Sequence, residues 1–432
     1  MMTNNFYYNI VFFVLLFFSS QIKAQTVEVE IKTNGDIKRE TIEVPEGMTY
    51  PIDSLLKDWH VKTYIDINEN CETAPSNPQF SDSTFIDRLQ RIPAIIEMPY
   101  NPIVRKFIDL YTERLRSQVS YMLSVSNFYI PIFETALDTY NLPLELKYLP
   151  IIESALNPIA VSRAGACGLW QFMINTSKLY GLETNSLIDE RKDPVKSTWA
   201  AARYLRDLYE IYNDWNIAIA AYNCGPGNVN KAIRRAGGET DYWKIYSYLP
   251  KETQGYVPAF IAANYVMNYY CDHNICAMET NIPENTDTIQ VSQNLHFKQI
   301  EELCGTSLEE LKSLNPQYST EVIPGDIKPY TLRLPLDQVS SFIEQQDTIY
   351  NHRSDELFRR RAQVAVTPKV KAAPKRKSPA TAQGKLTYHK IKKGETLSTI
   401  AQKHGVSVRQ LRQWNNIRGN KIIAGKNLKI YK

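Results

Sequence analysis

Several things are scarce in this 432-residue chain, and each scarcity removes a class of function. Beyond Phe18 no apolar run is long enough to cross a bilayer as a helix. Histidine and cysteine number six each. The spacing Cys271, His273 and Cys276 brings thiol and imidazole together, but no second Cys/His pair follows nearby to complete a zinc site. A net charge of +4 is small for the length and does not make the whole chain a polyanion binder. The one basic run, Arg359 to Lys377, holds no interleaved aromatics to stack on bases, so nucleic acid is not an expected partner. The first five residues lack Lys and Arg, and no Cys stands beside Ala24 to take a lipid.

What is present is ordinary for a globular protein: 43% hydrophobic and 22% charged residues. The length suggests two or three domains. Ile10 to Phe18 is a short apolar run, followed by small and polar residues and Ile22-Lys23-Ala24-Gln25. That pattern predicts a secretory leader over 1–24 that ends at Ala24. An uncleaved N-terminal anchor is the alternative. In an exported chain six cysteines permit disulfides.

Hydrophobic periodicity divides the remainder. Thr26 to Lys32 alternates as a strand does, and the rest of 25–83 reads as loops without an assignable role. From 84 to 280 the pattern is helical. Phe107, Leu110, Tyr111, Leu115 and Val119 recur at helical spacing, and prolines such as Pro143, Pro194 and Pro226 mark segment ends. A smaller β-α-α-β pattern covers 286–345. A basic linker rich in Pro, Ala and Lys over 346–385 is expected to be extended and mobile, because it has too few apolar residues to offset its ordering entropy. A second β-α-α-β pattern fills 386–432. The two small units repeat each other: Cys304-Gly305-Thr306-Ser307-Leu308 aligns with His404-Gly405-Val406-Ser407-Val408, and Asn315 with Asn415.

Four clusters in the helical region carry chemistry. Glu153 follows Leu149-Pro150-Ile151-Ile152, and a carboxyl in apolar surroundings holds its proton to higher pH. Such a group can donate a proton to a glycosidic oxygen. Taken alone, the segment fits a surface glutamate with one polar face better. The second cluster runs from Ser162 through Gly165 and Gly168 to Trp170, Gln171 and Met173. The third is Ala221-Tyr222-Asn223-Cys224-Gly225, and the fourth Leu249 to Val257 with Glu252. Amides can hydrogen-bond sugar hydroxyl and acetamido groups, and the faces of the tyrosines and Trp170 can pack on apolar sugar faces.

In order and spacing these clusters resemble the lytic transglycosylase family with its goose-lysozyme-like catalytic fold. The two repeats resemble LysM modules. The resemblance implies a mainly α fold: a lysozyme-like helical catalytic domain followed by small α+β (βααβ) modules. It implies Glu153 as a single catalytic acid and base. It further implies substrate contacts from Ser162, Gln171, Met173, Tyr222 and Asn223, and a supporting Glu252. Water exclusion would fall to Tyr222, Gln171 and the Trp170 region. No cofactor or metal is implied. In the C-terminal module Gly394, Thr396, Leu397, Asn415 and Ile417 match glycan-binding positions; in the first module Asn294-Leu295-His296-Phe297 replaces the corresponding turn. The expected partner is peptidoglycan in the periplasm or envelope of a bacterium, with the basic linker touching membrane or anionic wall polymers. Cys167 and Cys224 stand where the family has small residues, and a bond between them would tie two motifs together. Two rival readings remain: a water-using muramidase with Asp189, Asp193 or Glu252 as second carboxylate, and a binding scaffold without catalysis.

Overall fold

A computed structural model describes residues 25–33, 36–55, 77–278, 285–358, 386–417, 419 and 422–431. The leader expected at 1–24 and most of the expected linker, 359–385, lie outside the described residues. The chain divides into two units, 1–366 and 367–432.

The first unit opens with an antiparallel hairpin. β1 (Thr26–Thr33) pairs with β2 (Asp36–Glu43), with Thr26 opposite Glu43 and Val29 opposite Glu40. The strand at β1 matches the alternation in the sequence; β2 stands where loops were expected. Val29, Ile42, Val44, Met48 and Leu55 are buried in the main core, so the N-terminal segment is built into the helical domain. A short 3-10 turn, Glu46–Thr49, follows β2.

The helical region is as the periodicity predicts. Its long members are α1 (Arg116–Thr139), α3 (Pro194–Tyr212) and α5 (Lys251–Tyr269), with the short α2 (Leu149–Ser154) and α4 (Trp215–Cys224) between them. Helix starts follow local chemistry. Asp193 caps α3 by accepting from the Val195 and Lys196 amides, with Pro194 at the first helical position, where its missing N–H costs nothing. Asp214 caps α4 through the Ile217 amide. α4 and α5 bury apolar residues nearly all round, as core helices must. No helix among the described residues is long and apolar enough to cross a membrane.

The first βααβ module consists of β3 (Thr286–Val291), β4 (Asn294–His296), α6 (Phe297–Cys304), α7 (Leu308–Leu314), β5 (Val322–Pro324) and β6 (Tyr330–Pro335). β3 pairs with β6 and β4 with β5, both antiparallel. Its core takes in Leu187 and Ile188 from the helical domain. The structure corrects the linker boundary at 346. Helices α8 (Leu336–Glu344) and α9 (Gln346–Asn351) continue the module, because Phe342, Ile349 and Tyr350 bury themselves in its core.

The second unit is the other βααβ module: β7 (Leu386–Lys390), α10 (Leu397–His404), α11 (Val408–Asn415) and β8 (Asn427–Tyr431), with β7 and β8 antiparallel. Its small core holds Ile391, Leu397, Ile400, Ala401, Leu411, Leu428 and Ile430.

Candidate active site

α2 is only six residues long, and its companions fix its position. Ser154 donates to Pro150 O within the helix (3.0 Å) and also to Leu169 O (2.9 Å), which ties the helix to the Gly168–Gln171 turn. That turn needs Gly168. Its φ is +85°, and a Cβ there would lie 1.8 Å from Arg191 O. Arg191 clamps the same turn from outside: its guanidinium donates to Gly165 O (3.0 Å) and Phe172 O (3.2 Å) while paired with Asp189 (2.7 Å).

Glu153 projects from α2 into a cleft of about 400 Å³. All seven residues expected at the catalytic site, Glu153, Ser162, Gln171, Met173, Tyr222, Asn223 and Glu252, line this cleft. Burial pushes the Glu153 carboxyl up to about 8; the Tyr256 hydroxyl pulls the other way, and the Glu252 and Glu46 carboxylates add to the rise. Tyr256 donates to Glu153 Oε1, which leaves Oε2 to carry a transferable proton. Burial also holds the Tyr256 phenol far above its ordinary value, so it stays a donor.

The other lining residues are fixed by their neighbours. The Ser162 hydroxyl accepts from the Ala166 amide (3.0 Å), which closes the turn that follows it. Gln171, at φ +47°, donates from Nε2 to Gly168 O (2.8 Å) and Ala160 O (3.3 Å). Met173 is 45% exposed, an open apolar face at the cleft. Tyr222, near the end of α4, donates to Trp170 O (2.8 Å) and stacks at a tilt on Tyr204, with ring centroids 5.2 Å apart. Asn223 Oδ1 accepts from Thr253 (2.7 Å), joining the end of α4 to the start of α5 beside Glu252.

Three expectations are corrected. Trp170 does not face the cleft: it is fully buried, donates to Thr198 Oγ1 (2.9 Å) and packs on Phe133, and only its carbonyl reaches the site, through Tyr222. Cys167 and Cys224 are free thiols, so no bond joins those motifs; Cys276 is disulfide-bonded. Asp189 and Asp193 are absent from the cleft lining, since one is paired with Arg191 and the other caps α3. Among the lining residues that sequence reasoning did not single out are two that act on Glu153, Tyr256 and Glu46. Tyr256 follows Glu252 by four positions on one helix, and that spacing could have placed both on one face. No local signal marks Glu46.

Comparison with known proteins bears on this geometry. The family model for the Transglycosylase SLT domain matches residues 131–245, which span Glu153, the Gly168–Gln171 turn and Tyr222. The chain carries a transglycosylase SLT domain. The LysM-like domain of lytic transglycosylase MltD matches 285–351, and the LysM domain 389–430. Membrane-bound lytic murein transglycosylase D of Escherichia coli (strain K12) is 30% identical over 294 residues, covering 67% of this chain and 60% of that protein. The chain thus spans under two-thirds of that relative's length. Soluble lytic murein transglycosylase of the same strain is 32% identical over 124 residues, 27% of this chain and 19% of that protein. Among solved structures, the 70 kDa soluble lytic transglycosylase from Escherichia coli aligns at 26% identity and a TM-score of 0.29, covering 35% of this chain and 26% of that one.

The SLT domain is braced by the first module. Asp189 N donates to Gln317 O (2.8 Å), Ser319 N donates to Leu187 O (2.8 Å), and Lys328 pairs with Glu183 (2.7 Å). In the LysM module, two of the five expected glycan-binding residues are committed elsewhere. Leu397 is 3% exposed in the core, and the Asn415 amide is consumed by Leu411 O, Lys429 O and Lys429 N. Gly394 (φ +90°) and Thr396, the N-cap of α10, shape the turn before that helix, and Ile417 packs on the core's edge.

Proposed function

We propose that this protein is a peptidoglycan lytic transglycosylase of the bacterial envelope. It would cut the β-1,4 bond between N-acetylmuramic acid and N-acetylglucosamine and leave 1,6-anhydromuramyl ends. The observation that supports this best is Glu153, a carboxyl protonated near neutrality and bound by Tyr256 at one oxygen, in a cleft lined by amide, hydroxyl and tyrosine groups.

In the reaction, Glu153 Oε2 gives its proton to the bridging oxygen as the glycosidic bond breaks. The anomeric carbon is then supported by the substrate's own acetamido group. Glu153, now ionised and still accepting from Tyr256, takes the proton from the muramyl 6-hydroxyl, and that oxygen closes the anhydro ring. The carboxyl ends in the protonated state in which it began, and water is not consumed. Tyr222 and Gln171, both fixed by backbone carbonyls, hold the sugar without reorganising during the step. The LysM module would raise the local concentration of enzyme at the wall.

A second reading has one observation in its favour. Glu46 and Glu252 line the same cleft as Glu153, and a water-using muramidase needs a second carboxylate. Mass spectrometry of products from digested peptidoglycan separates the two. Fragments lighter by one water, without reducing ends, are expected; reducing ends would make the protein a muramidase.

A further inference from the structure

The SLT match begins at residue 131, yet one wall of the cleft comes from far upstream. Pro45 and Glu46 line it, at the start of the 46–49 turn. This turn lies directly against α2. A Cβ on Gly47 would fall 2.4 Å from Ile152 O and 2.5 Å from Glu153 C, so the turn touches the peptide of Glu153 itself, and only glycine permits it. The hairpin behind it is equally tight on α5: a Cβ on Gly255 would lie 2.2 Å from Glu43 O. The Glu46 carboxylate then reaches across to the second motif. Its Oε1 accepts from the Arg163 amide (3.3 Å) and lies 3.6 Å from Arg163 Nε. Arg163 directly follows Ser162, whose own hydroxyl holds the next turn.

We infer that Glu46 is a positioning residue of the reaction: it anchors the Ser162–Arg163 turn at the cleft and places a third carboxylate in the cleft that Glu153 and Glu252 line. The N-terminal segment is therefore part of the catalytic site. This rests on the transglycosylase reading above. The physical basis is like-charge repulsion among three carboxylates that line one cleft from three elements: Glu46 from the turn, Glu153 from α2 and Glu252 from α5. Several neighbours of Glu153 act in the balance. The Glu46 and Glu252 carboxylates disfavour its ionised form. Tyr256 favours that form by donating to it. Tyr50 and Tyr222 remain neutral phenols, because burial and the Glu153 charge push both upward. Arg163 screens Glu46 in part, being its ion-pair partner.

The test compares full-length wild type, Glu46→Gln, Glu46→Asp and Glu153→Gln on purified sacculi. Initial rates are measured from pH 5 to 9, alongside melting temperature. Removing the Glu46 charge makes ionised Glu153 less costly, so Glu153 loses its proton at lower pH. For Glu46→Gln the expected result is an alkaline limb moved down by ~0.5 in pH, hence a rate up to about 3-fold lower above the limb, with little change in melting temperature. Glu46→Asp should restore most of the limb position. A purely structural Glu46 would lower the melting temperature and leave the limb where it was, and that outcome overturns the inference. So does a Glu46→Gln enzyme with wild-type rate and profile. If Glu153→Gln retains activity, the underlying transglycosylase reading fails instead.

Discussion

In the first βααβ module Asn315 donates to Leu311 O (2.9 Å) and Arg333 O (2.8 Å) and accepts from Arg333 N (2.7 Å). In the second, Asn415 makes the same three bonds to Leu411 O (2.9 Å), Lys429 O (2.9 Å) and Lys429 N (2.6 Å). The glycine that ends the first helix is also shared, Gly305 at φ +80° and Gly405 at φ +65°. The mouths differ. In the first copy the β4–β5 ladder joins Asn294–His296 to Val322–Pro324, and Gly325 backs so closely onto Gln293 that a Cβ would lie 2.2 Å from its carbonyl oxygen. In the second copy the corresponding stretches are turns, and Tyr388 and Ile423 stand exposed. One skeleton thus serves two ends. The first copy shares its core with Leu187 and Ile188 and supports the loop from which Arg191 grips the Gly168–Gln171 turn, whereas the second keeps Tyr388 and Ile423 open.

The largest expected effect separates catalysis from wall binding. Glu153→Gln should lower turnover by about 10³-fold, the scale of a lost general acid. Retention on sacculi should not change, because the second module lies elsewhere in the chain. Loss of both would mean that the cleft, not the open module, supplies the binding. The wild-type rate should fall above a pH of about 8, where Glu153 gives up its proton. The same group carries a stability signature. A carboxyl raised from its ordinary 4.5 holds its proton longer in the folded than in the unfolded state, so stability declines as pH rises between those two values. Glu153→Gln should remove that decline and melt higher than wild type at neutral pH.

Next in size is a cavity in either core. Leu332 is fully buried in the core shared with Leu187 and Ile188, and Ile430 is fully buried in the second module. Alanine at either position should cost ~3 kcal/mol locally. Leu332→Ala should destabilise the SLT domain and depress its activity; Ile430→Ala should melt the small unit alone and leave turnover of soluble glycan intact. An enzyme insensitive to Leu332→Ala would break the brace argument. Deleting 386–432 is a smaller change. Retention on sacculi should drop on the order of tenfold or more, with no loss on soluble fragments.

Sequence patterns showed the helical domain, both βααβ modules and the four motifs, because helical periodicity and turn residues are local signals. The corrected points are those that depend on distant contacts. β2 carries Lys38, Arg39 and Glu40 and reads as polar, yet its end delivers Ile42 and Val44 to the core. Glu46 precedes Glu153 by more than a hundred positions and lines the same cleft, where Gly47 lets two backbones touch. The packing of α9 was hidden by the basic composition that begins just after it. Trp170 illustrates the reverse error: an aromatic next to Gln171 suggested a sugar platform, and the helix packing claimed it for the core.

The smallest expected effect tests the comparison at its most similar point. The two asparagine clasps have nearly equal distances, so a difference between them must come from their surroundings. Asn315 is 1% exposed and Asn415 is partly open to solvent. Removing a buried partner strands the Arg333 amide and carbonyl without water to replace it, which costs ~2 kcal/mol. At Asn415 water can enter and satisfy the Lys429 groups, so the net loss should be nearer ~1 kcal/mol. Asn315→Ala and Asn415→Ala, each followed by chemical denaturation with the transition of its own unit monitored, give the two numbers. Equal losses would mean that the clasp's own geometry sets its worth; a larger loss at Asn315 would assign the difference to burial, and with it the role of the first copy as an internal brace.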